Sequence, residues 1–251
     1  MKLFENVSVR GKVLPLAQAR LFADFTAGWS LADVTAAQRR AILERGEACL
    51  TSPIPQLPAS LYRQFGRIGN RIQFENAYFL RRTRLHDLLY AEAAEGQGRF
   101  LEAIEDLLWA VLEESTWVLP AHNPGQLTAD FADEVHTVDL FSAATAGLLT
   151  LALHLVGDRL DEGLDDQLLT RRLLHEIRRR VTVPVCRYEQ VWMRQIPNNW
   201  NPWIFSNVLF CLTVCEEELA HREEMIGRIL YLLDYFVDRY GESGGCDEGP
   251  S

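Results

Sequence analysis

The chain has 251 residues, 48% hydrophobic and 24% charged, with a formal net charge of −10. That length buries one large core or at most two small ones, and the composition excludes a disordered or fibrous chain. The acidic balance argues against non-specific nucleic-acid binding, which needs Lys and Arg to neutralise phosphates, and it suits a polyanionic ligand only where a basic cleft focuses the field.

Taken in chain order, nearly every segment reads at the helical period. The N-terminus, Met1 to Gly11, lacks the uninterrupted apolar stretch of a secretory signal. Ser30 with Asp33, and Thr35 with Gln38, have the spacing of capping boxes that open helices. Between Leu61 and Asn76, the Gly66-Arg67-Ile68-Gly69-Asn70 segment predicts a short pair of strands. Phe100, Ile104, Leu107, Leu108 and Val111 then form one apolar helical stripe. Leu140–Leu155 is apolar nearly all round; it carries His154 and reads as a buried helix rather than a membrane span, closed by Gly157.

Gln167–Val181 and Glu217–Tyr240 carry dense charge on one face, and Trp203–Val214 is again apolar on every side. Within Glu217–Tyr240 the expected inward stripe is Ile226, Ile229, Leu230, Leu233 and Val237, with Gly241 placed to end the helix. A helix apolar all round needs neighbours all round. Alternating inner and outer helices meet that need. The expected fold is therefore all-α, an incomplete α/α toroid of antiparallel hairpins forming a single domain over 1–251. A plain bundle or a solenoid would also satisfy the pattern, although no repeat at a solenoid period is visible.

No metal, cofactor or membrane partner is expected. The five cysteines, Cys49, Cys186, Cys211, Cys215 and Cys246, are odd in number and scattered, which suits neither a disulfide framework nor a zinc ribbon. Cys211 and Cys215 share a helix face but read as small buried hydrophobes. His136, His154, His175 and His221 lack ligand spacing, and Arg171-Arg172 with Arg178-Arg179-Arg180 reads as a solvated outer face. A cytoplasmic location is the expectation.

Four segments carry residues that cores do not need: Glu113 to Asn123; Val138 to Leu148, running on to Gly157-Asp158-Arg159-Leu160; Asn198-Asn199-Trp200-Asn201-Pro202-Trp203-Ile204-Phe205-Ser206-Asn207; and Gly244-Gly245-Cys246-Asp247-Glu248-Gly249-Pro250-Ser251. In this order and spacing, from about Phe74 onward, the chain resembles heparinase II/III-like proteins. The resemblance implies an α/α toroid followed by a β-sandwich, and a lyase that cleaves uronic-acid oligosaccharides or polysaccharides by β-elimination without a redox cofactor. In that family the glycine-rich segment leads into an aromatic pair whose tyrosine is the acid or base. Ser251 is the last residue here, so the resemblance implies a toroid lacking the complete catalytic set and inactive by itself. A toroid glycoside hydrolase and a non-catalytic carbohydrate-binding domain are the alternatives.

A uronate lyase removes a proton beside a carboxylate, and a donor facing that carboxylate stabilises the charge that builds there. Asn199 and Asn201 are the candidates for that role, with His122 as a further catalytic group, an imidazole able to bind substrate or donate a proton. Trp200 and Trp203 would form the sugar platform. Asn123, Asn207 and Glu248 complete the substrate-binding set, Glu248 orienting the tyrosine. Other readings stand beside these. Asn201-Pro202 also has the form of a helix cap with proline at the first position, and His122 also suits a bond to a loop carbonyl.

Overall fold

The computed structural model describes residues 2–15, 34–123, 137–164, 166–194 and 198–239. The described residues are all-α: Ala36–Leu50 (α1), Ala59–Tyr62 (α2), Gln64–Ile68 (α3), Ile72–Glu95 (α4), Leu101–Leu112 (α5), Leu140–Val156 (α6), Leu168–Ile177 (α7), Val183–Arg187 (α8), Val191–Arg194 (α9), Trp200–Cys215 (α10) and Leu219–Val237 (α11). A 3-10 turn covers Pro120–His122 and a π segment covers Arg178–Thr182. Among these residues no helix is long and apolar enough to cross a membrane.

The chain divides into two compact units. One contains described residues 34–123 and 151–176; the other contains 2–15, 137–150 and those from 177 onward.

In the unit holding 34–123, Thr35 and Gln38 form the reciprocal capping box that opens α1. Buried Gly46 lets α1 approach α4 closely, since a Cβ there would clash with that of Ala91. The expected strand pair is absent: 59–68 forms α2 and α3, Gly69 ends α3 in the left-handed region at φ 71, and α4 begins at Ile72. Gly69 and Asn70 are turn residues, but here they punctuate two helices rather than a hairpin. The α5 stripe is buried as its period predicts, from Phe100 through Val111.

Charge inside this unit is matched group by group. Buried Glu114 accepts from Arg81 at 3.1 Å and from Arg82 through both oxygens at 2.9 and 2.7 Å. Arg81 also donates to the carbonyls of Pro55 and Ala110. Fully buried Glu92 accepts from the Gly98 and Phe100 amides and from Arg159 at 2.6 Å. Asp161, at φ 60, caps α7 by accepting from the Leu169 and Thr170 amides at 2.9 and 3.0 Å.

In the other unit, Asp139 and Ser142 form a second reciprocal box at the start of α6. No residue of α6 is exposed, as its all-round apolar pattern predicts. Two residues past the π segment comes Pro184, which donates no backbone hydrogen bond and whose ring would crowd the Arg180 carbonyl in a regular α-helix. The wider π turn relieves that crowding.

The buried residues of α11 are Arg222, Met225, Ile229, Leu232 and Asp234. The expected stripe therefore keeps Ile229, while Ile226, Leu230, Leu233 and Val237 are half-buried. The polar members grip the N-terminal segment. Asp234 accepts from the Leu3 and Phe4 amides at 2.7 and 3.0 Å, Glu223 accepts from Gly11, and Arg222 donates to the Leu14 carbonyl. Residues 3–14 thus run antiparallel along α11. The capping residues Ser30 and Asp33, the C-terminal Gly241 and the segment Gly244–Ser251 lie outside the described residues.

Candidate functional site

The Asn-Trp-Asn-Pro-Trp segment opens α10, and each asparagine does something different there. Asn198 turns the chain in: its Oδ1 accepts from the Trp200 amide at 3.1 Å. Asn199 precedes the helix, and its carbonyl takes the Trp203 amide at 3.1 Å. Its side chain makes no cap bond, and its Oδ1 is buried without a hydrogen-bond partner.

Asn201 is not the cap, because the helix already begins at Trp200. It sits in the first turn, 1% exposed, and its Nδ2 donates to the carbonyls of Met193 at 3.0 Å and Leu232 at 3.2 Å. An amide has two N–H groups, and both are used. Asn201 is therefore a brace joining α9, α10 and α11, and any carboxylate it faced would have to displace a backbone carbonyl. Its Oδ1 is also buried and unpartnered.

Trp203 is 47% exposed, whereas Trp200 is half-buried. Asn207 lies one turn beyond Trp203 and donates back to its carbonyl at 2.9 Å. The Asn207 Oδ1 faces Gly147 of α6 so closely that a Cβ at that glycine would clash with it. The indole of Trp192 is a core anchor, bonded to the Val138 carbonyl at 2.9 Å and edge-on to Phe205.

The residues flanking the two braced carbonyls were not singled out from sequence. Arg194 follows Met193, and Tyr231 precedes Leu232. The Arg194 guanidinium lies 5.1 Å from the Tyr235 ring centroid and 5.8 Å from that of Tyr231. The two tyrosine hydroxyls are 3.1 Å apart, and the hydrogen bond between them pushes the Tyr235 hydroxyl above its ordinary pKa. Arg194 Nε is buried with no hydrogen-bond partner; Glu189 Oε1 is 3.4 Å away but off the N–H axis. The sequence signal was the i, i+4 spacing of Tyr231 and Tyr235 on one face of a charged helix.

His122 and Asn123 belong to the unit holding 34–123. Both amides bond the Leu119 carbonyl, at 2.9 and 3.2 Å, so the 3-10 turn is closed by backbone. Asn123 is 5% exposed, while His122 is half-buried. The loop before them is largely core: Trp117 donates to the Val111 carbonyl, and Tyr78 donates to the Trp117 carbonyl at 2.8 Å. Its apparent surplus of polar and aromatic residues is thus partly structural. Glu248 lies outside the described residues.

Cys211 and Cys215 pack against the Thr150 hydroxyl at 3.2 and 3.6 Å. Burial pushes both thiols up, Cys215 to about 11, away from the thiolate that a nucleophile or a metal requires. Among the described residues no group of three or more His, Cys, Asp or Glu is arranged to hold a metal ion.

No protein-family model matches the chain. A curated protein from Synechocystis sp., 4-hydroxy-tetrahydrodipicolinate synthase, is 30% identical over 106 residues. That similarity covers 42% of this chain and spans only 30% of the length of that relative.

Proposed function

We propose that this chain is the helical part of a heparinase II/III-like lyase that cleaves uronic-acid oligosaccharides by β-elimination. In this reading its helices belong to an incomplete α/α toroid, and it acts in the cytoplasm. The ordered segments that carry the resemblance support the family. The start of α10 supports a sugar ligand.

The observation that carries the reading is the Asn199 carboxamide. A buried acceptor left unpaired costs about 1–3 kcal/mol, and native folds satisfy nearly all of them. Asn199 Oδ1 is such an atom, four residues from the exposed Trp203. A sugar hydroxyl would satisfy it while a pyranose face covers the indole. Because no bond at Oδ1 fixes its orientation, the amide can also turn an N–H toward a carboxylate. Asn199 then holds the developing charge as the proton leaves, and the first turn of α10 adds its dipole. Asn201 acts by holding α9 and α11 in place around it. The partial match to a synthase covers too little of either chain to bring that activity here.

Calorimetric titration with short oligouronates tests the reading. Saturable binding is expected, weakened about tenfold by Trp203→Ala, the loss of one stacked aromatic face with its buried area. Trp109→Ala, an exposed tryptophan of the other unit, should leave affinity unchanged. No binding, or equal binding by the Trp203 variant, would remove the carbohydrate reading. Any turnover of these oligomers should yield an unsaturated uronide with new ultraviolet absorbance, which hydrolysis does not produce.

A further inference from the structure

Three buried polar atoms without partners lie close along the sequence at the α9–α10–α11 junction: Arg194 Nε, Asn199 Oδ1 and Asn201 Oδ1. Buried polar atoms without partners are uncommon in native folds, and three of them fall at this one junction. The junction is also braced by side-chain hydrogen bonds. Asn201 fixes the Met193 and Leu232 carbonyls, so the chain neighbours Arg194 and Tyr231 are positioned before any ligand arrives.

We propose that Arg194, held beside the faces of Tyr231 and Tyr235, selects a sugar ring that carries a negative group, either a carboxylate or a sulfate. The inference rests on the carbohydrate reading and adds to it the residue that sets charge specificity. The guanidinium is a planar fork of donors that matches an oxyanion with two parallel bonds, which a lysine cannot do. Its Nε–H has no aligned acceptor and points to the missing half of such a pair. Glu189 Oε1 at 3.4 Å shares the charge without taking that hydrogen bond, and it competes with an incoming anion. The tyrosines supply an apolar edge-to-face wall, with ring planes at 80° and centroids 5.7 Å apart. One hydroxyl hydrogen is used between the two phenols, which leaves the other free to donate to the ring or its substituent.

The test measures affinities of the whole protein for three oligosaccharides of equal length: an oligouronate, the same oligomer with its carboxyls reduced to alcohols, and a neutral backbone bearing sulfate. Arg194→Gln should weaken binding of the charged ligands by about 10- to 100-fold, the range of a lost charge-assisted pair, and leave the reduced oligomer unchanged. Arg194→Lys, which keeps the charge and loses the fork, should fall between. Glu189→Gln, a change at a half-exposed side chain, should tighten both charged ligands a few-fold. The ratio of the oligouronate to the sulfated ligand identifies which anion the site prefers. If Arg194→Gln binds charged oligomers as the parent does while Trp203→Ala still weakens them, the Arg194 assignment falls and the carbohydrate reading stands. If none of the three oligomers binds, both fall.

Discussion

At the level of single residues, the asparagines of the Asn-Trp-Asn-Pro-Trp segment make opposite predictions. Asn201→Ala removes the side-chain donor from the Met193 and Leu232 carbonyls. Two unmade buried bonds should cost about 2–4 kcal/mol of stability, measured by urea denaturation. Asn199→Ala removes an unpartnered oxygen and should cost less than about 1 kcal/mol while lowering oligouronate affinity. A larger stability loss at Asn199 than at Asn201 would reverse these assignments. Asp161 supplies a pH-linked case. Burial pushes its carboxyl up, but the Thr170 and Leu169 amides and the Thr170 hydroxyl outweigh that and hold it below the ordinary carboxylate range. A folded-state value below the unfolded one means the cap contributes fully above the unfolded pKa of about 3.9 and is lost as pH falls through the folded value. Asp161→Asn keeps a side chain that tolerates φ 60 and removes the titration. The parent's stability advantage over this variant should therefore shrink as pH drops from 6 toward 3; a constant gap would show that the carboxylate is not the source.

Elements show where periodicity reads true and where it does not. The α5 stripe was legible because its partners are other apolar faces, and burial then follows the 3.6-residue period directly. On α11 the inward face is turned by about one residue, because Arg222 and Asp234 are buried against main chain that lies more than 200 residues away in sequence. A hydrophobic period cannot register a polar grip of that kind. The 61–76 segment failed for another reason: Gly69-Asn70 marks a turn equally well between strands and between helices. At the site, Trp203 was legible as an exposed aromatic in a polar segment. Arg194 was not, since its company comes from Tyr231 and Tyr235 on another helix. The N-terminal grip gives an element-scale prediction. Asp234→Ala removes the acceptor for the Leu3 and Phe4 amides and should raise the opening of residues 3–14 by about 10- to 100-fold. Tryptic cleavage after the exposed Arg10 and Lys12 reads that opening, with far-ultraviolet dichroism unchanged.

For the molecule as a whole, net charge and buried charge pull in different directions. The formal charge of −10 repels an anionic oligosaccharide at long range, whereas Arg194 would attract it at contact. Distance separates the two effects. At about 0.01 M salt the Debye length is about 30 Å and the field of the whole protein reaches the approaching ligand; at about 0.1 M it is about 10 Å and that repulsion is largely screened. A contact pair about 3 Å long at a partly buried guanidinium is screened much less. Association of an oligouronate should therefore speed up, by a few-fold, as salt rises over that range, while dissociation changes little. Arg194→Gln should keep the salt dependence of association, because that belongs to the total charge, and should raise the dissociation rate instead. Stopped-flow tryptophan fluorescence at two salt concentrations separates the rates. Association that slows with added salt would mean that a basic cleft, and not the overall charge, governs the approach, and the acidic surface would then say nothing about which ligands this protein admits.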